Sequence, residues 1–460
     1  GLFFLEDSFF RSMALGTIAV VCVSVIGSLT LLPAVLSILD MRIDRFRLRI
    51  PGRHPHEGLG IWAVLVRFAM RRAVPVVVLC VAGLLLAASP VTRLHLGQTD
   101  LESFPDTLDA VRARNLLDEK WPQGTTLSLN VVVTGADQPA MKDAVAKLPA
   151  ELAAIKGLSG PATTQTAVNG SVMRVVITMS GEPNDLANRA IVNDVRGRVV
   201  PAVVGGLPGV RAYVGGDAAF VLDTVKFYEE GLPKVVAFVL ALSFLLLLLV
   251  FHSIVIPIKA ILLNLVSTGT AFGVLVLGFQ DGALADLLGF RPVPLESFVP
   301  VFVFTILFGL SMDYHVFILS RIQEARSAGL DAASAVERGI SITAGTITSA
   351  AAIMVAVFAV FVTLRLVIIR ELGLGLAVAV LVDSTIIRSL LLPATMRLLG
   401  DWNWWMPRFL DWVPFAERGA YLLEADVMVS AHRDHVETRY SYRTRLLDGL
   451  WAGRPTVATA

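Results

Sequence analysis

Two cysteines in 460 residues are too few for a disulfide framework, and Cys22 and Cys80 both fall in apolar stretches, where they suggest neither a bridge nor a metal site. Charge is also scarce. Asp, Glu, Lys and Arg make up 17% of the chain, against about 25% in an ordinary soluble domain. The formal net charge is +1, so no global basic field argues for a nucleic-acid partner. No cofactor is expected. The first residue is Gly, with no Met and no signal peptide before it. The expectation is a processed chain or a fragment.

Apolar residues fill the gap. They make up 55% of the chain, and mean hydropathy is +0.70. The fold class expected is a polytopic α-helical membrane protein with one extramembrane α+β domain. Seven runs are long enough to cross a bilayer at about 20 residues each: roughly 13–39, 74–92, 233–251, 257–279, 298–320, 341–363 and 372–399. Several contain Gly or Pro, which membrane helices tolerate. Residues 94–232 differ. Segments such as 128–135 (SLNVVVTG) and 172–181 (VMRVVITMSG) alternate apolar and polar residues as strands do, and Pro161, Gly170 and Gly205-Gly206 read as turn signals.

One apolar run carries a carboxylate. In 298–320 (FVPVFVFTILFGLSMDYHVFILS), Asp313 is the sole acidic or basic residue apart from His315. An acid at that depth costs at least about 2.5–3.5 kcal/mol on insertion scales, and such groups pair with something or carry protons or ions. Asp313 is therefore expected to be buried among helices beside polar groups. Tyr314 adds a phenolic donor and acceptor next to it. Gly309, Gly345 and Gly375, with Ser341, Thr346 and Ser349, suit close helix approach and a polar lining.

Charge asymmetry sets the expected orientation. Residues 40–72 hold Arg42, Arg45, Arg47, Arg49, Arg53, Arg67, Arg71 and Arg72, and 321–338 hold Arg321, Arg326 and Arg338. By the positive-inside rule both segments are cytoplasmic, which puts 94–232 outside the cell membrane. Pro51, His54, Pro55 and Gly58 break the basic loop. The stretch 60–71 that follows is either an amphipathic helix anchored on the inner surface by Trp62 or a plain linker.

The chain also repeats. Residues 13–40 align with 373–400 at an offset of 360, so that Leu32-Pro33-Ala34 falls on Leu392-Pro393-Ala394. Repeats of this kind mark transporters built from two related halves. The first copy sits at the N-terminus, so the expected organisation is as follows: 1–40, the last span of a first half; 41–73, a cytoplasmic basic linker; 74–93, a span; 94–232, the extramembrane domain; 233–400, a five-helix bundle; 401–412, a junction; and 413–460, a tail. The copies differ at Asp383, which aligns with Val23. Asp383 either pairs with Arg388 as an ordinary neutralisation near one turn's spacing or helps line a polar interior.

Three segments carry a family resemblance. Residues 308–325 (FGLSMDYHVFILSRIQEA), 337–361 (ERGISITAGTITSAAAIMVAVFAVF) and 372–407 (LGLGLAVAVLVDSTIIRSLLLPATMRLLGDWNWWMP) resemble the last three spans of MmpL-type transporters of the RND superfamily, and 94–105 (LHLGQTDLESFP) resembles the opening of their second extracytoplasmic domain. The resemblance covers about 1–408. It implies twelve spans in an intact protein, two extracytoplasmic porter domains, and proton-driven export of lipids or other hydrophobic molecules. It also implies a proton relay at Asp313 and Tyr314, facing a like pair on another helix. His315 stands where the family commonly has Glu, and is either a bystander or a second titrating group. Asp383, Thr346, Ser349 and His315 are the expected secondary polar lining.

Residues 413–460 resemble the donor-binding half of a GT-B glycosyltransferase. Asp448 matches that family's ribose-holding acid, and Glu437 precedes it at a longer spacing than usual. About 48 residues cannot bury a sizeable core, so the tail is expected to be a remnant and the chain a transporter rather than an enzyme. A non-transporting, sterol-sensing-like or accessory membrane module is the alternative. The expected partners are protons, a hydrophobic or lipid substrate and the membrane itself. A homo-oligomer stays open.

Overall fold

The computed structural model describes residues 3, 5, 8–39, 61–98, 104, 107–121, 126–135, 139–205, 209–407, 428–430 and 456–458. Contacts divide the chain into two units. One comprises Gly60–Leu242 and Lys259–Gly400, with Gly1. The other comprises Leu2–Leu59, Ser243–Ile258 and Asp401–Ala460.

Helices α1 (Ser8–Leu29) and α2 (Leu31–Leu39) form the N-terminal apolar run, exposed along nearly its whole length. It breaks at Thr30, just before Leu32-Pro33-Ala34. After the basic loop, α3 (Ile61–Arg71) is a short amphipathic helix that buries Ala63, Val66 and Ala69. The stretch 60–71 is thus helical from Ile61. Span α4 (Ala73–Ala88) follows, with Ala73, Val76 and Leu84 buried on one face.

The central segment runs β1 (Leu96–Gly97), α5 (Asp109–Lys120), β2 (Leu127–Thr134), α6 (Pro139–Ala153), β3 (Leu158–Thr166), β4 (Val172–Met179), α7 (Leu186–Asp194), α8 (Val200–Val204) and β5 (Arg211–Gly216). Its four-stranded sheet has the order β3-β4-β2-β5 with antiparallel pairing, and Val131 opposes both Val175 and Val214. Strict alternation along β2 sends Leu127, Leu129, Val131 and Val133 to one face, where Leu148, Leu152, Val192 and Val195 from the helices cover them. The two stretches of alternating residues are thus β2 and β4. Gly170 makes the β3–β4 turn with φ +72°. Pro161 is not a turn residue. It lies inside β3, an edge strand whose register shifts between Ser159 and Thr163, and an edge strand at a bulge can spare the missing N–H.

Helix α9 (Asp217–Phe251) runs unbroken through the expected domain boundary at 232/233. Its first turns serve two cores, with Ala218 and Ala219 under the sheet and Val221 and Val225 packed with Leu96, Leu295 and Phe279. Then come α10 (Val255–Leu275), α11 (Ala285–Leu288), β6 (Leu295–Glu296), α12 (Val299–Ser327), α13 (Ala332–Val362), α14 (Val367–Val382) and α15 (Leu392–Leu399). Short strands β1 and β6 pair in parallel, Leu96 with Leu295. A π-helical stretch, Asp383–Leu391, joins α14 to α15 and ends at Leu392-Pro393-Ala394. The Leu-Pro-Ala of each repeat copy therefore sits just past an irregularity in the helix.

Among the described residues, seven helical runs are long and apolar enough to cross a membrane: Ser8–Leu39, Ala73–Arg93, Asp217–Phe251, Val255–Gln280, Val299–Ser327, Ala332–Val362 and Val367–Trp404. Each overlaps one of the seven runs expected. In the smaller unit, Ser253 Oγ donates to the Asn403 carbonyl at 2.7 Å and ties the end of α9 to the chain after α15. The tail is described only where β7 (Met428–Ser430) pairs in parallel with β8 (Thr456–Ala458). Asp448 and Glu437 lie outside the described residues.

Candidate functional site

Membrane helices contribute polar side chains to one buried point inside the bundle. From α10 comes Asn264, from α12 Ser311, and from the π-helical stretch Asp383 and Arg388, all four buried. A π-helix closes i→i+5 hydrogen bonds, so residues five apart stack one above the other. In a regular α-helix the same two residues point about 140° apart. The wider turn thus lets Arg388 Nη2 donate to Asp383 Oδ2 within one helix.

The pair is held from α12. Ser311 Oγ lies 2.8 Å from Asp383 Oδ2 and 2.9 Å from Asn264 Oδ1. One hydroxyl proton serves one acceptor at a time, and turning over the Asn264 amide exchanges its acceptor for a donor. The Arg388 guanidinium also lies over the Tyr314 ring, 4.5 Å from its centroid. That contact is worth up to about 2 kcal/mol when desolvated. A cavity of about 20 Å³ adjoins Asn264, Ser311, Tyr314, Asp383 and Arg388, which is room for about one water. Asn264 Nδ2, Asp383 Oδ1 and Arg388 Nε are buried without a hydrogen-bond partner among the described residues.

The sequence-based site residues do not all meet here. Asp383, Tyr314 and His315 do. His315 is fully buried, with Nδ1 3.1 Å from the Ser311 carbonyl oxygen and with Asp383, Arg388 and Lys259 near enough for Coulombic interaction. Asp313 does not. It is exposed, not buried beside polar groups, and makes no hydrogen bond or ion pair with other described residues. The cause is helical spacing: Ser311 and His315, four apart, face the interior, and Asp313 between them turns outward with Gly309 and Phe317. Thr346 and Ser349 are likewise exposed on α13, where Thr343 and Ile347 take the inward positions. Neither reaches the buried point within this chain, and Ser349 Oγ bonds back to the Gly345 carbonyl at 2.8 Å. A Cβ on Gly375 would press against Leu275, whereas one on Gly309 would meet nothing within 4 Å.

Sequence reasoning passed over Asn264, Ser311 and Lys259. A lone amide and a lone ammonium in the apolar run ILLNLVS and its approach IVIPIKA were the available signal. A second buried acid, Glu371 on α14, accepts the Glu296 backbone N–H at 3.2 Å, next to the β1–β6 pair. Among the described residues no group of three or more His, Cys, Asp or Glu could hold a metal ion.

Known proteins are similar in sequence to this chain over most of its length. It is 31% identical over 447 residues to the trehalose monomycolate exporter MmpL3 of Mycobacterium tuberculosis, covering 89% of this chain and 46% of the relative. It is 32% identical over 417 residues to the heme uptake protein MmpL11 of the same organism, covering 89% and 43%. It is 32% identical over 422 residues to the mycolic acid-containing lipids exporter MmpL11 of Mycolicibacterium smegmatis, covering 89% and 44%. The chain spans a little under half the length of these relatives. Residues 102–416 match the description of the MMPL family, the larger part of the sequence and the whole of the site described above. The chain belongs to the MMPL family.

Proposed function

We propose that this chain works in proton-driven export of lipids or other hydrophobic molecules across the cell membrane, as part of an MmpL-type transporter of the RND superfamily. The observation that carries the reading is the Asp383–Arg388 pair, sealed among apolar helices beside a water-sized cavity that reaches Tyr314. A buried pair of this kind is weak support for stability and costs desolvation, so a functional use is the better account of it. Relatives named as exporters of trehalose monomycolate and of mycolic acid-containing lipids support a lipid substrate.

In this reading Asp313 and Tyr314 are the proton relay. The stripe Gly309, Asp313 and Phe317 on α12, with Thr346 and Ser349 on neighbouring α13, is the face that meets a like helix pair. That pair comes from the remainder of a protein twice this length or from a second copy. Protonation of Asp313 removes the cost of a charge at that interface and so biases one packing of the two halves over the other. Tyr314 links the exposed acid to the interior, because its ring carries Arg388 and Arg388 holds Asp383. His315 stands behind the relay as a buried bystander.

The four-stranded α+β segment is then the extracytoplasmic, porter-like domain. Its support is the gathering of Arg67, Arg71, Arg72 and Arg397 at the opposite end of the bundle. The parallel pairing of β7 with β8 supports a glycosyltransferase-like reading of the tail. The test is lipid movement in vesicles under an imposed pH gradient. With the facing half supplied, wild-type protein should couple the two, and Asp383→Asn and Asp313→Asn should each uncouple them. Gradient-independent behaviour in all three would favour a non-transporting module.

A further inference from the structure

The end of α3, the start of α4, the start of α13 and the end of α15 surround an open cleft of about 720 Å³. Arg67, Arg71, Arg72 and Arg397 line it, with Glu337 as the one acid. Arg67 Nε is 3.4 Å from Glu337 and also donates to the Ala63 carbonyl at 3.2 Å. The side chains of Arg71, Arg72 and Arg397 make no hydrogen bond or ion pair with another described residue, and all three are exposed. Four guanidinium groups against one carboxylate leave three positive charges without a partner.

Below the arginines the surface changes. Val74 lines the cleft, and Val78 and Leu79 follow it along α4, all three exposed in a helix apolar enough to cross a membrane. A cationic mouth above an apolar wall, at the point where spans emerge, matches one ligand chemistry: a phosphate-bearing headgroup joined to acyl chains. Guanidinium forks bind phosphate oxygens bidentately, and basic pockets at the cytoplasmic ends of membrane helices suit anionic lipid headgroups. A free anion would leave the apolar wall unused, and an acidic peptide would have to lie against it.

We propose that this cleft binds an anionic phospholipid of the cytoplasmic leaflet, with its headgroup phosphate held by Arg71, Arg72 and Arg397 and its acyl chains along α4. The site stands on the membrane-spanning character of α4 and of the run that ends in α15, and its leaflet on the orientation proposed above, but not on the transport reading. Arg67 is held back by Glu337 and steadies the wall of the cleft.

Native mass spectrometry of the full chain in detergent, titrated with phosphatidylglycerol and with phosphatidylcholine, tests this. Phosphatidylglycerol should be retained in preference. That preference should fall by about tenfold or more in the R71Q/R72Q/R397Q variant, persist in R71K/R72K/R397K, and weaken as salt rises. Should the glutamine triple variant not fold, R71Q and R397Q singly should each lose a measurable part of the preference. Equal retention of the two lipids overturns the proposal. So does a preference that survives in the glutamine variants. Inorganic phosphate or a polyglutamate peptide binding as tightly as phosphatidylglycerol would overturn the lipid assignment in favour of a free-anion or peptide site.

Discussion

Asp383 and Arg388 are five residues apart in one continuous helix, and the π-helical turn between them brings carboxylate and guanidinium into direct contact. Their pairing is inseparable from that turn, because α-helical geometry would point them apart. Ser311 ties the pair to α12 and Tyr314 caps the cation. A change at any of the four should be felt by the others.

Removing one member of the pair should cost more than removing both. Arg388→Met leaves the Asp383 carboxylate buried beside Ser311 alone, which is expected to destabilise by about 3–5 kcal/mol. The double variant Asp383→Leu, Arg388→Met should be clearly more stable than Arg388→Met. Thermal unfolding in detergent reads the order. A double variant as unstable as the sum of the single ones would show that the two side chains do not act as a pair.

Tyr314 has two separable parts. The ring lies under Arg388, and the hydroxyl reaches Met354 Sδ at 3.9 Å. Tyr314→Phe should keep thermal stability close to wild type and lose proton-coupled movement. Tyr314→Leu should lower both. Full activity in Tyr314→Phe would remove the hydroxyl from the relay.

Helix packing makes a sharper distinction among the glycines than their spacing does. A Cβ on Gly339 would sit 2.6 Å from Ile322 Cγ1 and 2.8 Å from the Ile322 backbone nitrogen, and one on Gly373 would sit 2.7 Å from the Phe358 carbonyl oxygen. Gly339→Ala and Gly373→Ala should each cost about 1–3 kcal/mol, because backbone cannot step aside. Gly309→Ala, with nothing within 4 Å, should leave stability unchanged, so any loss of activity there belongs to the outer face of α12.

Asp331 caps α13 by accepting the backbone N–H groups of Ala333 and Ser334 at 3.1 and 3.3 Å. Hydrogen bonds from Ser334 hold its carboxyl below the usual carboxylate range. A lowered folded pKa means that the contribution is complete above the unfolded value, about 3.9, and fades as pH falls through the lower folded value. Hydrogen exchange at the first turn of α13 should therefore be faster in Asp331→Ala at pH 7, and the difference should shrink as the pH drops below about 4. A difference independent of pH would mean that the carboxylate charge plays no part in the cap.

Hydropathy alone located all seven apolar helices, since each is a long run with little competing signal. Alternation located β2 and β4 for the same reason, because the sheet buries one face. Pro161 misled, since a proline signals a turn and an edge-strand bulge equally well. The site was half legible. The cost of an acid in hydrocarbon pointed to both Asp313 and Asp383, and could not say which faces inward. That depends on which side of α12 its neighbours cover, and the inward stripe through Ser311 and His315 is set by α10 and the π-helical stretch far along the chain. The π-helical turn leaves no simple mark in the sequence, so the spacing of Asp383 and Arg388 looked like ordinary helical neutralisation.

The central claim is that a proton on Asp313 is coupled to lipid movement. The most direct measurement is the rate of transfer of a fluorescent lipid in vesicles holding the protein with its facing half supplied, with and without an inward-acid pH gradient, for wild type and Asp313→Asn. The account predicts a gradient-dependent rate in wild type, and a rate in Asp313→Asn that no longer responds to the gradient while the protein remains folded. An unaltered gradient response in Asp313→Asn would contradict it.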